Sequence, residues 1–113
     1  MSNRLRVTAV LGSLLFGAAA RAQNFPTRPI TIVVPAAPGG VSDVMARVLA
    51  KHFGDAWGQQ VIVENRPGGG NNIGADTVAK SAPDGYSMLL TTASLAIAPS
   101  LYRKLSYDPV KDL

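Results

Sequence analysis

Three short, β-branched apolar runs, each stopped by glycine or proline and followed by a stretch of helical periodicity, fix the kind of fold open to this chain. Ile30-Thr31-Ile32-Val33-Val34 is the first, and its nearly unbroken apolar character suits a strand buried on both faces. Pro35-Ala36-Ala37-Pro38-Gly39-Gly40 ends it with strong turn residues. Ser42 is placed to N-cap a helix that carries Asp43 in its first turn. Val44, Met45, Val48, Leu49, Phe53, Ala56 and Trp57 recur at helical spacing and predict its buried face, and Gly54 or Gly58 can end it. Val61-Ile62-Val63-Glu64-Asn65 reads as a second strand. Arg66-Pro67-Gly68-Gly69-Gly70 breaks it, and Asn71 or Asn72 can cap a second helix over about residues 73–81. After the turn Pro83-Asp84-Gly85, a third strand is expected over Tyr86–Thr91. Thr92 or Ser94 then opens a short helical stretch that Pro99 interrupts or restarts, and Ser106–Leu113, with no helix or strand signal, is expected to be a linker.

Strand, helix, strand, helix, strand implies an α/β fold with a parallel sheet and right-handed crossover helices. In such a sheet every strand-to-helix loop leaves at the same edge, where open α/β sheets bind ligands. The loops Pro35–Asp43, Arg66–Ile73 and Thr91–Ser94 are therefore expected to gather there. Each leads into a helix N-terminus, whose free N–H groups and positive dipole end favour an anion. Each feature also has a plainer explanation. Gly39-Gly40 can serve a tight turn alone, Gly68-Gly69-Gly70 can be a flexible loop, and Ser42 can serve only its own helix. Asp43 can be a first-turn charge, and an acid beside an anion site is electrostatically awkward. The convergence of the loops is what raises them above these readings.

The first 22 residues stand apart. Arg4 and Arg6 precede an uncharged run from Val7 to Ala20, and Ala20-Arg21-Ala22 offers small residues where a signal peptidase reads. Residues 1–22 are accordingly expected to be a signal peptide cut between Ala22 and Gln23, giving an exported, periplasmic protein. The apolar run falls short of the roughly 20 residues a bilayer requires. The plainer alternative is a buried N-terminal helix in a cytosolic protein. No cysteine follows the cut to take a lipid, and no paired arginines mark a twin-arginine signal.

Removing Arg4, Arg6 and Arg21 leaves eight of the 11 basic residues against seven acidic ones, so the high pI belongs largely to the leader. Without a basic run, nucleic acid is not an expected partner. No later segment approaches membrane-spanning length. The absence of cysteine removes disulfides and thiol chemistry and weighs against a thiolate metal site. His52 is the single histidine, too few for a metal set, and suits a solvated or half-buried helix position. Neither glycine loop holds Gly-Lys-Ser/Thr, the second does not fit Gly-x-Gly-x-x-Gly, and no Gly-x-Ser-x-Gly elbow occurs. No catalytic residue, cofactor or metal is expected.

Several segments in fixed order carry a family resemblance: residues 29–34, then Pro38-Gly39-Gly40-Val41-Ser42-Asp43 with Ala46-Arg47, then Val63-Glu64-Asn65-Arg66-Pro67-Gly68 and Asn72-Ile73-Gly74-Ala75. Ala82-Pro83-Asp84-Gly85-Tyr86, Leu101-Tyr102 and Tyr107-Asp108-Pro109-Val110-Lys111-Asp112 complete the set. The chain resembles the solute-binding receptors of tripartite tricarboxylate transporters, the Bug proteins, over about residues 25–113. The resemblance implies a two-lobed periplasmic receptor, not an enzyme, that closes on a small carboxylate ligand and delivers it to a membrane permease. It implies binding positions at Gly39, Gly40, Ser42 and Asp43 in the first loop, Gly68, Gly69 and Asn71 in the second, and Thr92 and Ser94 in the third. Two departures from the family pattern stand out. Gly70-Asn71-Asn72 alters the middle of the second loop, and Ala98 replaces the polar Asn that often precedes the proline. Family members are much longer, so residues 23–113 are expected to be an incomplete N-terminal lobe. A truncated remnant without binding activity and an unrecognised α/β enzyme are the alternatives.

Overall fold

A computed structural model describes residues 24–113; the expected leader and its cut lie outside the described residues. The order is β1 (Ile30–Val34), α1 (Val41–Trp57), β2 (Val61–Asn65), a 3-10 turn (Gly69–Asn71), α2 (Asn72–Ala79), β3 (Ser87–Leu89) and α3 (Ser94–Leu101). The three strands form one parallel sheet in the order β2-β1-β3. The expected α/β architecture is present.

β1 is the central strand, which explains its composition. Ile30, Ile32, Val33 and Val34 are all buried, as a strand covered on both faces requires. Its ladder starts with Ile30 N–H donating to the Gln60 carbonyl and Thr31 N–H to that of Tyr86. It closes with Arg66 N–H donating to the Val34 carbonyl at 2.8 Å and Leu90 N–H to that of Val33 at 3.0 Å. The connection from β1 to β2 runs one way and that from β2 to β3 runs back across β1. With right-handed crossovers, this reversal sets α1 and α2 on opposite faces and leaves a switch point between β1 and β3.

The face that α1 buries differs from the one its large apolar residues predict. Ala46 and Ala50 pack on Ile32 and Val34, with Phe53, Val61, Val63, Met88 and Leu90 around them. Val44, Met45 and Val48 are more than half exposed, and Trp57 is also exposed, stacked on Phe53 at 4.6 Å. The small alanines let the helix backbone approach the sheet closely, and the buried Asp43 continues the same face. Ser42 does not cap this helix. Gly40 holds the N-cap position with no side-chain cap, and Ser42 is already helical. Gly58 ends α1 in the left-handed conformation, donating to the Gly54 carbonyl at 2.9 Å.

Three further expectations are corrected. β3 is three residues long rather than six, because it pairs only with Thr31, Ile32 and Val33 of β1. The Tyr86 ring instead joins a cluster below the sheet, against Phe25 and under Arg28, whose guanidinium pairs with Asp84 at 2.7 Å. α3 continues through Pro99 to Leu101. Residues 106–113, expected to be a linker, are tied to the body. Tyr107 is buried and its hydroxyl donates to Asn72 Oδ1 at 2.8 Å, while Ser106 Oγ donates to Asp76 Oδ1 at 2.7 Å.

Candidate functional site

The C-terminal edge of the sheet carries the three loops. Loop 1 (residues 35–40) leaves β1, loop 2 (residues 66–71) leaves β2, and loop 3 (residues 90–93) leaves β3. Loop 2 must cross the end of β1 to reach α2. The crossing is close: a Cβ built on Gly74 would stand 2.6 Å from Pro35 Cβ and 3.1 Å from the Arg66 carbonyl oxygen. Glycine at 74 is what permits this packing of α2 on loop 1.

Loop 2 is an ordered left-handed turn. Gly68, Gly69, Gly70 and Asn71 all have positive φ, 115°, 59°, 62° and 73°. Side chains resist that conformation, so three glycines in succession are required, with Asn the best-tolerated residue to follow. The turn sets Asn71 at the N-cap position of α2, but the side chain does not cap the helix. Its amide instead donates to Ser94 Oγ at 3.0 Å, and Ser94 Oγ lies 3.1 Å from Thr92 Oγ1. Loops 2 and 3 are thus joined by three polar side chains beside the switch point. Thr92 also borders an apolar cavity of about 480 Å³ lined by Leu95, Ala96, Pro99, Pro109 and Val110.

Loop 1 has a different chemistry. Gly39 and Gly40 are exposed backbone, and α1 begins behind them without a side-chain cap. Asp43, in the first turn, is 97 % buried, its relative exposure being 3 %. Its Oδ2 accepts from Gly39 N–H at 2.9 Å and from Arg47 Nε at 3.1 Å. The Arg47 bond first, then the Gly39 N–H, hold its carboxyl down at about 2 against the opposing effect of desolvation. Oδ1 is buried with no partner among the described residues. Asp43 is therefore ionised at neutral pH and occupied with its own loop. Ser42, half-buried, makes no side-chain cap.

Of the nine positions singled out, Ser94 contacts both Asn71 and Thr92, Gly68 and Gly69 build the turn that delivers Asn71, and Asp43 braces Gly39. No side-chain bond joins the Gly39–Asp43 group to the Asn71–Ser94 group among the described residues. Sequence reasoning missed Asn65, whose amide donates from the end of β2 to the Ala36 carbonyl in loop 1 at 3.1 Å. It also missed Tyr102, whose hydroxyl occupies the space a Gly70 side chain would need. Both lie in segments that carry the family resemblance. Among the described residues, no group of three or more His, Asp or Glu could hold a metal ion, and no helix is long and apolar enough to cross a membrane.

Residues 45–113 match the tripartite tricarboxylate transporter family receptor. The chain belongs to this receptor family. BugT of Bordetella pertussis is 45% identical over 117 residues, which take in 98% of this chain and 36% of that protein. A tripartite tricarboxylate receptor-like fold is equally plain in solved structures. The periplasmic binding protein BugD matches with a TM-score of 0.74 and 45% identity over 78% of this chain and 29% of its own. MatC from Rhodopseudomonas palustris, solved with bound malate, matches with a TM-score of 0.70 and 38% identity over 78% of this chain and 30% of its own. A second R. palustris protein, solved with adipate, gives 0.72 and 39% over 76% and 29%. The chain spans about a third of the length of the curated relatives it matches. Ala98, at the second departure from the family pattern, is buried one helical turn after Ser94 in α3.

Proposed function

We propose that this chain is the N-terminal part of a periplasmic receptor that captures a small carboxylate and delivers it to a membrane permease. The observation that carries the reading is the meeting of Asn71, Ser94 and Thr92 where loops 2 and 3 adjoin the β1/β3 switch point. Amide and hydroxyl donors suit a carboxylate, and they sit on short loops held by a rigid sheet. Across the edge, the exposed backbone of Gly40 stands at the start of α1, with Gly39 N–H held by Asp43. Asp43 serves this site from behind, and Ser42 lies at its margin. The malate and adipate held by structural neighbours support a dicarboxylate of similar size. Hinge closure by a second lobe would bury the ligand and strengthen these contacts, since an anion in open water is screened. The chemistry is capture and release rather than turnover.

A thermal-shift screen of small mono-, di- and tricarboxylates against the full-length gene product tests the reading. A ligand at 100 times its Kd stabilises the folded state by about 2.7 kcal/mol, a shift of several degrees. Stabilisation by a dicarboxylate, and none by matched chloride, is expected. A flat response to every carboxylate contradicts it. Export is tested separately: the periplasmic protein should begin at Gln23, and an intact leader on a cytosolic product would overturn that element.

A further inference from the structure

Loop 1 is exposed from Ala37 to Gly40 yet is held at three points. Pro35 is wedged against Gly74, Gly39 N–H is held by Asp43 Oδ2, and the Ala36 carbonyl is held by the Asn65 amide. Asn65 lies opposite Val34 in the last register pair of β1 and β2, where the ladder ends. From there its side chain reaches loop 1, tying the end of β2 to that loop through a bond that spans 29 positions in sequence. We infer that Asn65 is a positioning residue for ligand capture: its amide, by gripping the Ala36 carbonyl, presets the backbone of loop 1 that Asp43 holds from the other end.

The inference rests on the receptor reading of loop 1 and goes beyond it by assigning a role to a residue that need not touch ligand. Its physical basis is preorganisation. A loop already fixed in its bound shape loses less freedom on binding, and this appears as affinity. Ala36 is only half-buried, so water can replace the lost donor at small cost to folding. Loss of the clamp should therefore weaken binding much more than it lowers the melting temperature. A purely structural residue would show the opposite balance.

The test uses Asn65→Ala and Asn65→Leu in the full-length gene product, the second keeping the approximate shape of the side chain and adding no charge beside Asp43 while removing its donor. Hydrogen exchange of the segment 35–43, measured without ligand, reports the clamp, and malate titration reports its consequence. Expected are about tenfold faster exchange at the Gly39 amide and about tenfold weaker malate binding in both variants, with melting temperature lowered by only a few degrees. Unchanged exchange, wild-type affinity in either folded variant, or an affinity loss accounted for by the unfolded fraction would overturn the inference. The exchange arm needs no ligand. If the wild-type protein took up no malate, that would count against malate as the receptor's ligand, while exchange would still decide whether Asn65 holds the loop.

Discussion

Asp43 shows how one side chain can be prominent in sequence and act otherwise in the fold. Its place in a first helical turn was legible, but its burial was not, because the buried face of α1 is chosen by two alanines rather than by the larger residues beside them. Its folded pKa is lowered from 3.8 to about 2, mainly by Arg47 and then by the Gly39 amide. A group depressed in this way stabilises the fold above its unfolded pKa, and the contribution is lost as pH falls through the folded value. Melting curves of wild type and Asp43→Asn should therefore differ at pH 5–7, and the gap should close between about pH 4 and pH 2. A gap that stays constant over that window would rule out the ion-paired carboxylate as its source. Ser42 provides the reverse case. A sequence-based N-cap is worth about 1 kcal/mol, but Gly40 occupies that position, so Ser42→Ala should change stability by less than about 0.5 kcal/mol in a urea titration. A loss of 1 kcal/mol or more would restore Ser42 as a cap.

At the scale of elements, β1, β2 and the two long crossovers were readable from β-branched runs, turn residues and spacing. Local signals failed where tertiary packing decides. β3 is short because its partner strand offers it only three register pairs, and residues 106–113 are anchored through Tyr107 and Ser106 by contacts 30 or more positions distant. The glycine run of loop 2 was legible as a break but not as a left-handed turn, since only the fold reveals that its end must present Asn71 to Ser94. The close approach of α2 to loop 1 gives a test of this scale. Helix propensity favours Gly74→Ala by about 1 kcal/mol, whereas the added methyl would press on Pro35 and the Arg66 carbonyl. Overpacking should prevail, with a net loss of about 1–3 kcal/mol in chemical denaturation. A more stable Gly74→Ala protein would show that α2 does not seat on Pro35 as described.

At the scale of the molecule, the parallel sheet brings three loops from separate stretches of sequence to one edge, and this convergence was legible from element order alone. Which side chains meet there was not. The contact of Asn71 with Ser94 depends on the reversal of strand order that carries loop 2 across β1. Under the proposed function a small carboxylate is the ligand, and the meeting of loops 2 and 3 is its proposed place. Isothermal titration of the full-length gene product with malate, for wild type and for a double variant carrying Asn71→Gly and Ser94→Ala, tests both together. Glycine keeps the left-handed conformation at position 71 while removing the amide, so folding should be preserved. The account predicts saturable 1:1 binding by wild type at about micromolar Kd, near −8 kcal/mol, and at least about tenfold weaker binding by a double variant that melts normally. Wild-type affinity in that variant, or no saturable binding of malate or adipate by a folded wild-type protein, would contradict it.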